Sequence, residues 1–498
     1  MTRSHAVDAS AIHSRLERLV ATDLQRWLPA KRWFADKGRP IVEIRLEDAM
    51  LQPVADDWLA LAIIRVTFNE GEAARYHLPL AWTRAPAVAA AIGEPESGSE
   101  EGAFVDATET PWFGRWLVQA MIDGDSPAHP AWRFSAYPAA AARLVTARDR
   151  PSELMRGEQS NSSLRFGDVL IVKLVRRLQP GPNADEEMLS ALADRRFTHV
   201  PSIAGAASWR SGADVAYPIA LAQAFVPNRG DGWSWMLARL ARLALGEIEP
   251  MLGDTSPEWV LGQRTGELHV ALAEIDALGF TPEPSSSQTI AANEIRTRAA
   301  VDQAGSLLQA GTAPLPDALQ RSLPQTIRAL EASASRVAGY RHEAPTWRIR
   351  VHGDFHLGQT LRTPDGDWKL IDFEGEPART AAERRQKTSA LKDVAGMLRS
   401  FAYARGAAER TAEGSDFEHQ QERLDMWERA AREAFLAGYR NAVQHAPNPL
   451  VPDTDDAFAS ALAAWELDKT LYEIAYEIRN RPDWLALPLR ALVQPSSE

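Results

Sequence analysis

Apolar residues recur every three or four positions between residues 11 and 28, a spacing that predicts an amphipathic helix. The next apolar segments, at 41–46, 58–68 and 76–80, are short and are separated by polar turns. Such segments are typical of strands, and the turn before the third one indicates a hairpin. We therefore predict a small α+β subdomain over residues 1–90.

The middle of the chain contains two regions with different patterns. Residues 91–152 include an acidic stretch rich in Gly and Ser at 93–102, which predicts a loop, and a helix at 112–122; we treat them as an intermediate region. Residues 153–226 change to a strand-rich pattern, with a helix whose N-cap is Asn183. The strands of this region are predicted at 164–166, 169–174 and 218–226.

From residue 227 to residue 498 the apolar spacing is mostly helical. The predicted helices lie at 258–278, 290–309, 316–339, 388–404, 417–443 and 456–481. Strands in the first half of the chain and helices in the second half together predict an α+β fold.

The composition narrows the classes of function. The chain has 498 residues and a formal net charge of -12, which argues against a general nucleic-acid binder because a phosphate backbone would be repelled. It contains no cysteine, which excludes disulfides, cysteine nucleophiles and thiolate metal sites. No segment has the ~20 continuous apolar residues of a membrane span, and the first residues carry no targeting pattern. We therefore expect a cytoplasmic protein with neither a nucleic-acid nor a membrane partner.

The strongest chemical signal lies at residues 351–376. Asp354 belongs to a His-Gly-Asp motif, Gln359 follows it by five positions, and Asp372 closes a short apolar strand. In kinase-like phosphotransfer sites one Asp accepts the proton of the attacking hydroxyl, an amide oxygen five residues later binds Mg²⁺, and an Asp at a strand end holds the metal against the phosphates. Kinases normally use Asn as the amide, which here is Gln. We predict Asp354 as the catalytic base, and Gln359 and Asp372 as Mg²⁺ ligands.

Two histidines lie two positions before and two positions after Asp354. His352 is predicted to brace the loop through hydrogen bonds rather than to act as an acid or a base. For His356 the sequence leaves two roles open, a contact with the substrate or a second brace for the loop.

A kinase also needs a region that holds the nucleotide, and the candidate lies upstream of this loop. The polar turn at 156–163 offers hydroxyls and backbone amides to phosphates, and its predicted contacts are Ser160, Asn161 and Ser162. Lys173 lies within an apolar strand, which is the position of the lysine that reaches the α- and β-phosphates in kinases.

Two further features complete the predicted nucleotide site. Glu187, near the start of the next helix, is expected to pair with Lys173, and Glu186 is the competing choice. A hinge whose backbone would hold adenine is predicted at Gln223, Phe225 and Val226.

Several longer segments of the chain resemble the maltokinases, relatives of the aminoglycoside phosphotransferases within the kinase-like superfamily. The resemblance extends over nearly the whole chain and is thinnest at about 85–150 and 280–345. The similar segments are KRWFADKGR (31–39), GEQSNSSLRFGDVLIVKLVRRLQPGPN (157–183), RTGELHVAL (264–272), HGDFHLGQTLR (352–362), LIDFEGEPART (370–380), ERR (383–385), LKDVAGMLRSFAYA (391–404) and WELDKTLYEIAYEIRNRPDW (465–484).

The resemblance implies a bilobal protein-kinase-like fold with a β-rich N-lobe, a mostly helical C-lobe and a preceding α+β cap. The corresponding divisions are a cap at 1–90, the intermediate region at 91–152, the nucleotide-binding N-lobe at 153–226 and the catalytic C-lobe at 227–498. It also implies ATP-dependent phosphorylation of maltose at its anomeric hydroxyl, with Mg²⁺ as cofactor. The product, maltose 1-phosphate, would feed α-glucan (glycogen) synthesis.

The resemblance bears on partners and on the sugar site as well. Some relatives are fused to, or work with, trehalose synthase; this chain lacks a (β/α)8 domain, so such a partner would be a separate protein. Carried over by motif, the catalytic Asp is Asp354, the metal ligands are Gln359 and Asp372, and the ATP-anchoring lysine is Lys173. The residues assigned to the sugar are His356, Glu374, Lys469, Tyr472, Glu473, Tyr476, Arg479 and Asn480.

Two alternatives remain open at this point. A glucosamine kinase or another sugar kinase of the same fold would keep Asp354, Gln359 and Asp372 and would differ in the sugar pocket. A non-catalytic relative that acts as a regulatory partner would be expected to lack one of the two aspartates, and both are present.

Overall fold

A computed structural model describes residues 8–84, 91–96, 102–126, 128–155, 161–251, 253–310, 317–376, 379–411 and 417–493. The chain divides into two compact units. The first consists of Met1–Ala193 and Pro201–Val226, and the second of Asp194–Val200 and Pro227–Glu498. Across the described ranges, no helix is both long enough and apolar enough to cross a membrane.

The first unit begins with helices α1 (Ala9–Thr22) and α2 (Leu24–Trp27), which precede an antiparallel sheet. Five strands of this sheet follow the order β1-β2-β3-β5-β4. The sixth strand, β10, lies farther along the chain and also pairs with β3. The strands are β1 (Ile41–Val54), β2 (Asp57–Phe68), β3 (Ala73–Thr83), β4 (Ile92–Glu96), β5 (Gly102–Asp106) and β10 (Arg177–Leu178).

Both faces of this sheet are covered, which explains why β2 is apolar and buried without alternation from Leu59 to Ile64. Successive side chains of a strand point to opposite faces. Ala60, Ala62 and Ile64 therefore pack with the apolar side chains of α1 and α2. Leu59 and Leu61 pack on the other face, in a core shared with the second sheet.

The second sheet of this unit has the order β6-β11-β12-β9-β8-β7. Asn183 caps the helix that follows β10, as predicted, because its Oδ1 accepts a hydrogen bond of 3.0 Å from Glu186 N. The remaining elements are α3 (Phe113–Asp123), β6 (Trp132–Ala136), α4 (Ala141–Arg148), β7 (Glu153–Met155), β8 (Asn161–Phe166), β9 (Leu170–Val175), α5 (Ala184–Asp194), β11 (Ile203–Arg210) and β12 (Ala216–Ala224).

The residues predicted as an intermediate region, 91–152, contribute to both sheets. Strands β4 and β5 complete the first sheet, whereas β6 forms an edge of the second. The predicted loop at 93–102 is wrong for its first residues, which belong to β4; residues 97–101 lie outside the described ranges. Pairing with β5 supplies the hydrogen bonds that overrule the local turn propensity.

The second unit is mainly helical. Its helices are α6 (Gly232–Ala244), α7 (Pro257–Ala273), α8 (Ser287–Gln309), α9 (Asp317–Ser333), α10 (Ala381–Arg384), α11 (Leu391–Arg410), α12 (Phe417–Val443), α13 (Asp455–Asn480) and α14 (Ala486–Val493). Its strands form two short two-stranded antiparallel sheets, β13 (Glu283–Pro284) with β14 (Trp347–Arg348), which come from distant parts of the chain, and the hairpin β15 (Thr360–Arg362) with β16 (Trp368–Leu370).

The predicted α+β class is confirmed, and the predicted long helices are present with changes at their ends. The helix predicted at 258–278 ends at Ala273, and the one predicted at 316–339 changes at Ser333 into a 3-10 helix, Ala334–Glu343. Other short 3-10 turns lie at Leu28–Ala30, Ala107–Glu109, Leu357–Gln359 and Pro482–Trp484.

Candidate active site

The loop that carries Asp354 lies in the second unit, between β14 and β15, and its backbone is held by Asp393 near the start of α11. The Asp393 carboxylate accepts hydrogen bonds from the backbone N–H groups of His352 at 2.7 Å and of Gly353 at 2.9 Å. Asp393 is almost fully buried. Burial by itself raises the pKa of Asp393, but the hydrogen bonds and the neighbouring histidines outweigh it, so the pKa is below its usual value.

Behind Asp393 lies a second layer that the sequence analysis did not identify. His269 Nε2 lies 3.1 Å from Asp393 Oδ2, and His269 Nδ1 lies 3.1 Å from the Tyr439 hydroxyl. Because an ionised carboxylate can only accept, Nε2 is the donor and Nδ1 faces the hydroxyl. His269 and Tyr439 are both completely buried, so this chain of contacts ties α7 and α12 to the loop.

Helix α11 packs directly against the same loop. A Cβ atom at Gly396 would lie 2.5 Å from the carbonyl oxygen of Phe355, so only glycine allows this approach. Ser400 Oγ accepts a hydrogen bond of 3.0 Å from Leu357 N. His352 Nε2 lies 2.9 Å from Ile371 O, in agreement with the predicted role of His352 as a brace. These contacts fix the backbone of the loop and thereby the position of Asp354.

The carboxylate of Asp354 is paired with Lys469 of α13, at 3.2 Å between Oδ1 and Nζ. Burial acts to raise the pKa of Asp354, but the positive charge of Lys469 and the two nearby histidines prevail, and the pKa is lowered. Burial likewise acts to lower the pKa of Lys469, yet Asp354, Glu376 and Glu473 raise it well above its usual value. At neutral pH the pair is therefore a carboxylate beside an ammonium group.

His356 has one ring nitrogen already occupied. Its Nδ1 accepts a hydrogen bond of 3.1 Å from Gly358 N, so in the neutral ring the proton resides on Nε2. Burial lowers the pKa of His356. The imidazole thus braces its own loop, and its contact with the substrate stays a prediction.

Gln359 and Asp372 lie on facing segments of the hairpin β15–β16. Ile371 N donates to Gln359 O at 3.0 Å, which brings the residue before Asp372 next to Gln359. Asp372 has a φ of 70°, an uncommon conformation for a residue with a side chain. A carboxylate oxygen of Asp372 lies within 4.8 Å of one of Glu374. Amide and carboxylate oxygens are donors that Mg²⁺ prefers, so this donor set fits the predicted metal.

Beside the Asp354 loop, the second unit contains a cavity of about 500 Å³. It is lined by α8, the segment after Asp372, the start of α11, and α13. Among the described residues that line it, five are basic and three are acidic. These are Arg296, Arg379, Lys392, Lys469 and Arg479, and Glu376, Glu383 and Asp468.

Each of the three acidic side chains of the cavity already has partners. Glu376 is nearly buried and lies 3.1 Å from Arg379, 3.4 Å from Lys392 and 3.8 Å from Lys469. Asp468 lies 3.3 Å from Arg296. Glu383 closes a capping box at the start of α10. The cavity therefore carries an excess of positive charge.

The residues predicted to bind sugar do not all reach this cavity. Lys469, Tyr472 and Arg479 line it. Tyr476 stacks on Tyr472, with 6.3 Å between ring centroids and 21° between planes, and is 42% exposed. Asn480 is exposed and donates to Tyr476 O.

Glu473, which was predicted to bind sugar, does not line the cavity. It is buried and accepts two hydrogen bonds from Arg399, at 3.0 Å from Nε and 2.8 Å from Nη2. Glu473 is near Lys469, as helical spacing predicts, and α11 supplies a second cationic partner for this buried carboxylate. Its contact with Arg399 joins α11 to α13 and engages the carboxylate that was predicted to bind sugar.

In the first unit, Lys173 of β9 pairs with an acid that the sequence analysis missed. Lys173 Nζ lies 3.1 Å from Asp185 Oδ2, in the first turn of α5, and Gln223 Nε2 donates to the same oxygen at 2.9 Å. Sequence reasoning had chosen between Glu187 and Glu186, and the latter accepts a hydrogen bond from Tyr137. Asp185 is completely buried, and a buried carboxylate requires hydrogen-bond donors such as these.

The predicted phosphate-facing turn is described only from Asn161 onward, and Ser160 lies outside the described residues. In the β8–β9 pair, Ser163 is opposite Lys173 and Ser162 is opposite Leu174. Opposite residues share a face, so Asn161 and Ser163 are on the Lys173 face, whereas Ser162 faces the core. The Ser162 hydroxyl accepts a hydrogen bond of 2.9 Å from Arg176 Nε, which corrects its predicted contact with phosphate.

The predicted hinge lies where β12 ends. The Gln223 side chain is engaged by Asp185, and Phe225 N donates to Val169 O at 3.0 Å. Val226 is buried and is the last residue of this unit before Pro227. The backbone after β12 is therefore still hydrogen-bonded to the residue before β9, the strand that carries Lys173.

Comparisons with known proteins identify the family to which the chain is similar. Residues 27–123 match the family model described as the maltokinase N-terminal cap domain. The chain is 33% identical to a glucosamine kinase of Streptacidiphilus jiangxiensis over 343 residues, 66% of this chain and 70% of the relative. It is 26% identical to a glucosamine kinase of Mycolicibacterium smegmatis over 381 residues, 76% of this chain and 88% of the relative.

A solved structure extends the likeness to the fold. A glucosamine kinase in complex with glucosamine, ADP and inorganic phosphate aligns with a TM-score of 0.65 and 25% identity over 96% of this chain and 98% of its own. A crystal form of a glucosamine kinase aligns equally broadly, with a TM-score of 0.64. The chain is thus a kinase-like phosphotransferase, and it belongs to the glucosamine kinase family, a maltokinase-like branch of the aminoglycoside-phosphotransferase and protein-kinase-like superfamily.

Proposed function

We propose that this enzyme transfers the γ-phosphoryl group of ATP to the anomeric hydroxyl of maltose, giving maltose 1-phosphate and ADP. The observation that carries the proposal is the Asp354 carboxylate, anchored by its backbone and paired with Lys469 at the edge of a cavity of about 500 Å³. That volume is within the range of small-molecule sites, about 300–1,000 Å³.

Asp354 is proposed to orient the anomeric hydroxyl and to accept its proton. The hydroxyl oxygen forms a bond to the γ-phosphorus, the bond from that phosphorus to the bridging oxygen of ADP breaks, and the proton passes to Asp354. The lowered pKa of Asp354 supports this role because it keeps the carboxylate ionised at neutral pH. Lys469 positions the carboxylate.

The first unit is proposed to bind ATP. Lys173 is assigned to the α- and β-phosphates. This assignment is supported by its contact with Asp185, which Gln223 also contacts. Asn161 is on the same face of the β8–β9 pair as Lys173. Phe225 and Val226 directly follow β12, and we assign the adenine contact to their backbone.

Gln359 and Asp372 are proposed as ligands of Mg²⁺, and Glu374 is close enough to Asp372 to contribute an oxygen. The metal, when bound, neutralises phosphate charge and orients the γ-phosphoryl group. Glu374, which the sequence assigned to the sugar, is better suited to this role because its carboxylate lies beside that of Asp372.

Maltose rather than glucosamine is supported by the charge of the cavity. An amino sugar brings an ammonium group, which would need a carboxylate without a cationic partner. Glu376 and Asp468 are already paired with Arg or Lys, and five basic side chains line the cavity. A neutral disaccharide avoids this repulsion, and the stacked Tyr472 and Tyr476 offer an aromatic surface to its second ring.

Glucosamine is the second candidate, because the relatives that match the chain are named glucosamine kinases.

For maltose 1-phosphate, the anomeric phosphate makes the product suitable as a glycosyl donor for α-glucan synthesis. A separate trehalose synthase is a suitable source of maltose.

A substrate panel tests the proposal. ADP release is measured by coupled assay with maltose, glucosamine and glucose at equal concentrations. We expect kcat/KM for maltose to exceed that for glucosamine by about 100-fold, which corresponds to about 2.7 kcal/mol of transition-state discrimination. Turnover of glucosamine without turnover of maltose would replace the first candidate by the second.

The assignment of the base is tested by Asp354→Asn. We expect kcat to fall by ~100-fold or more while ATP binding stays near the wild-type value. Asp365→Asn, an exposed aspartate eleven positions later, is the matched control and should leave kcat unchanged. Wild-type turnover in Asp354→Asn would exclude Asp354 as the base.

A further inference from the structure

Arg176 lies at the point where the chain leaves one sheet of the first unit and joins the other. It follows β9, which pairs with β8, and precedes β10, which pairs with β3 through Arg177 and Tyr76. Despite this position between two strands of different sheets, the side chain is only 1% exposed. A guanidinium group cannot lose its charge at ordinary pH, so it must be neutralised by protein groups.

Three segments of the unit provide these groups. Arg176 Nη2 donates to Asp106 Oδ2 at 2.8 Å and to Oδ1 at 3.1 Å, at the end of β5. The guanidinium carbon lies 4.6 Å from the centre of the Trp33 ring. Arg176 Nε donates to Ser162 Oγ at 2.9 Å, on the core face of β8.

The Asp106 side of this network belongs to the cap domain, and the Ser162 side belongs to the nucleotide strands. Asp106 and Trp33 both lie within residues 27–123, the range that matches the cap family model. Asp106 is itself fixed, since its Oδ1 accepts hydrogen bonds from Thr108 N and Oγ1. The buried charge therefore makes a rigid connection between the cap and β8.

The register of β8 explains how this connection reaches the nucleotide. Ser162 holds the core face of the strand, and its neighbours Asn161 and Ser163 are on the opposite face, with Lys173 directly across from Ser163. A strand anchored on one face cannot shift along its partner without moving every side chain on the other face.

We propose that Arg176 is a positioning residue for ATP, acting through Ser162, and that the cap domain thereby sets the nucleotide affinity of the enzyme. The inference rests on the proposed assignment of Asn161 and Lys173 to the ATP site. Arg176 itself is too deeply buried to touch the nucleotide, so its effect is transmitted by the placement of β8.

The test separates this role from a general contribution to folding. Ser162→Ala removes the hydroxyl that Arg176 contacts, and Ser162→Thr retains a hydroxyl. Thr110→Ala is the matched control, because among the described residues the Thr110 hydroxyl donates to Ala107 O within the cap and has no hydrogen bond to Arg176. For each variant we measure ADP binding by calorimetry without sugar, KM for ATP, KM for the sugar, kcat and the melting temperature.

We expect Ser162→Ala to weaken ADP binding and to raise KM for ATP about tenfold, with KM for the sugar and kcat within twofold of wild type. Ser162→Thr should restore most of the affinity, and Thr110→Ala should bind ADP as wild type does. Asp106→Asn, which removes the neutralising charge from the cap side, should weaken ADP binding in the same way. If that variant fails to fold, the Ser162 pair still decides.

Two results would overturn the inference. In the first, Ser162→Ala binds ADP with wild-type affinity. In the second, its affinity falls only in proportion to a lower melting temperature and is not rescued by Ser162→Thr. Failure of the proposed phosphoryl transfer from ATP gives a different result, because the wild-type chain would then bind no ADP at all, whereas a sugar other than maltose leaves this test unchanged.

Discussion

Replacement of Asp393 by Asn tests whether the Asp354 loop is positioned by a buried carboxylate. Asp393 accepts backbone hydrogen bonds from His352 and Gly353 through different oxygens, at 2.7 and 2.9 Å. Asparagine has nearly the same shape but offers one oxygen and one NH2 group. One of the two backbone N–H groups would then face a donor and lose its partner in a site that excludes water.

The cost can be worked from these contacts. A hydrogen bond to a charged acceptor contributes about 1.5–3 kcal/mol, and a buried N–H group left without a partner costs roughly 1–3 kcal/mol. Because the two effects overlap, we expect a loss of about 3 kcal/mol in the free energy of unfolding. For a large unit this corresponds to a melting temperature lower by about 5–10 °C.

The effect on catalysis should be separate from the effect on stability. A loop displaced by about 1 Å carries Asp354 out of alignment, and such a displacement costs on the order of 100-fold in rate. We therefore expect kcat of Asp393→Asn to fall by about 10- to 100-fold at temperatures where the variant is fully folded.

Both quantities are measured together, the melting temperature by circular dichroism and kcat by the coupled assay at 20 °C below it. Asp453→Asn, at an exposed position before α13, is the control and should change neither. The reasoning about loop position would be refuted by an Asp393→Asn variant that loses stability and keeps wild-type kcat. An unchanged melting temperature would refute the energetic argument.

Two further predictions concern the dependence on pH. Lys469→Met removes the charge that holds the pKa of Asp354 low, so burial then raises that pKa. The acidic limb of kcat/KM should therefore move to higher pH. An unshifted limb would show that Lys469 does not control the ionisation of Asp354. His77 is completely buried in the first unit, and burial lowers its pKa from 6.5 to about 3. Between these values the unfolded chain binds the proton more readily, so stability that is present above pH 6.5 should be lost as the pH falls, by about 2.5 kcal/mol between pH 7 and pH 4.5. His77→Leu should flatten this acid limb in urea titrations, and the same slope in both proteins would show that another group is responsible.

Most of the helices and the position of the Asp354 loop could be predicted from the sequence, because both depend on short-range patterns. Residues three or four positions apart share a helix face, and the segment from Asp354 to Asp372 consists of one loop and the hairpin that follows it. The strand that carries Lys173 was equally apparent. The roles proposed for these residues stay predictions until the variants are measured.

Side-chain contacts between distant parts of the chain could not be predicted in the same way. Asp393 reaches the loop from about 40 positions away, His269 from a different helix, and Arg296 and Lys392 join the cavity from α8 and α11. The segment that contains Asp393 was noticed as a motif, which was the available signal, but no spacing rule indicates which backbone N–H groups it accepts from.

The sequence by itself determined the fold class, the candidate base and the residue types available for phosphate and metal, since these follow from local periodicity and from which side chains the chain contains. Only the tertiary structure decided which neighbouring side chain each predicted residue contacts. The rotation of α5 selects Asp185 over Glu186 and Glu187, and the register of β8 turns Ser162 toward Arg176. The need of a buried carboxylate for a cation draws Glu473 to Arg399. Such choices depend on burial and on contacts between distant segments, which exist only once the chain has folded.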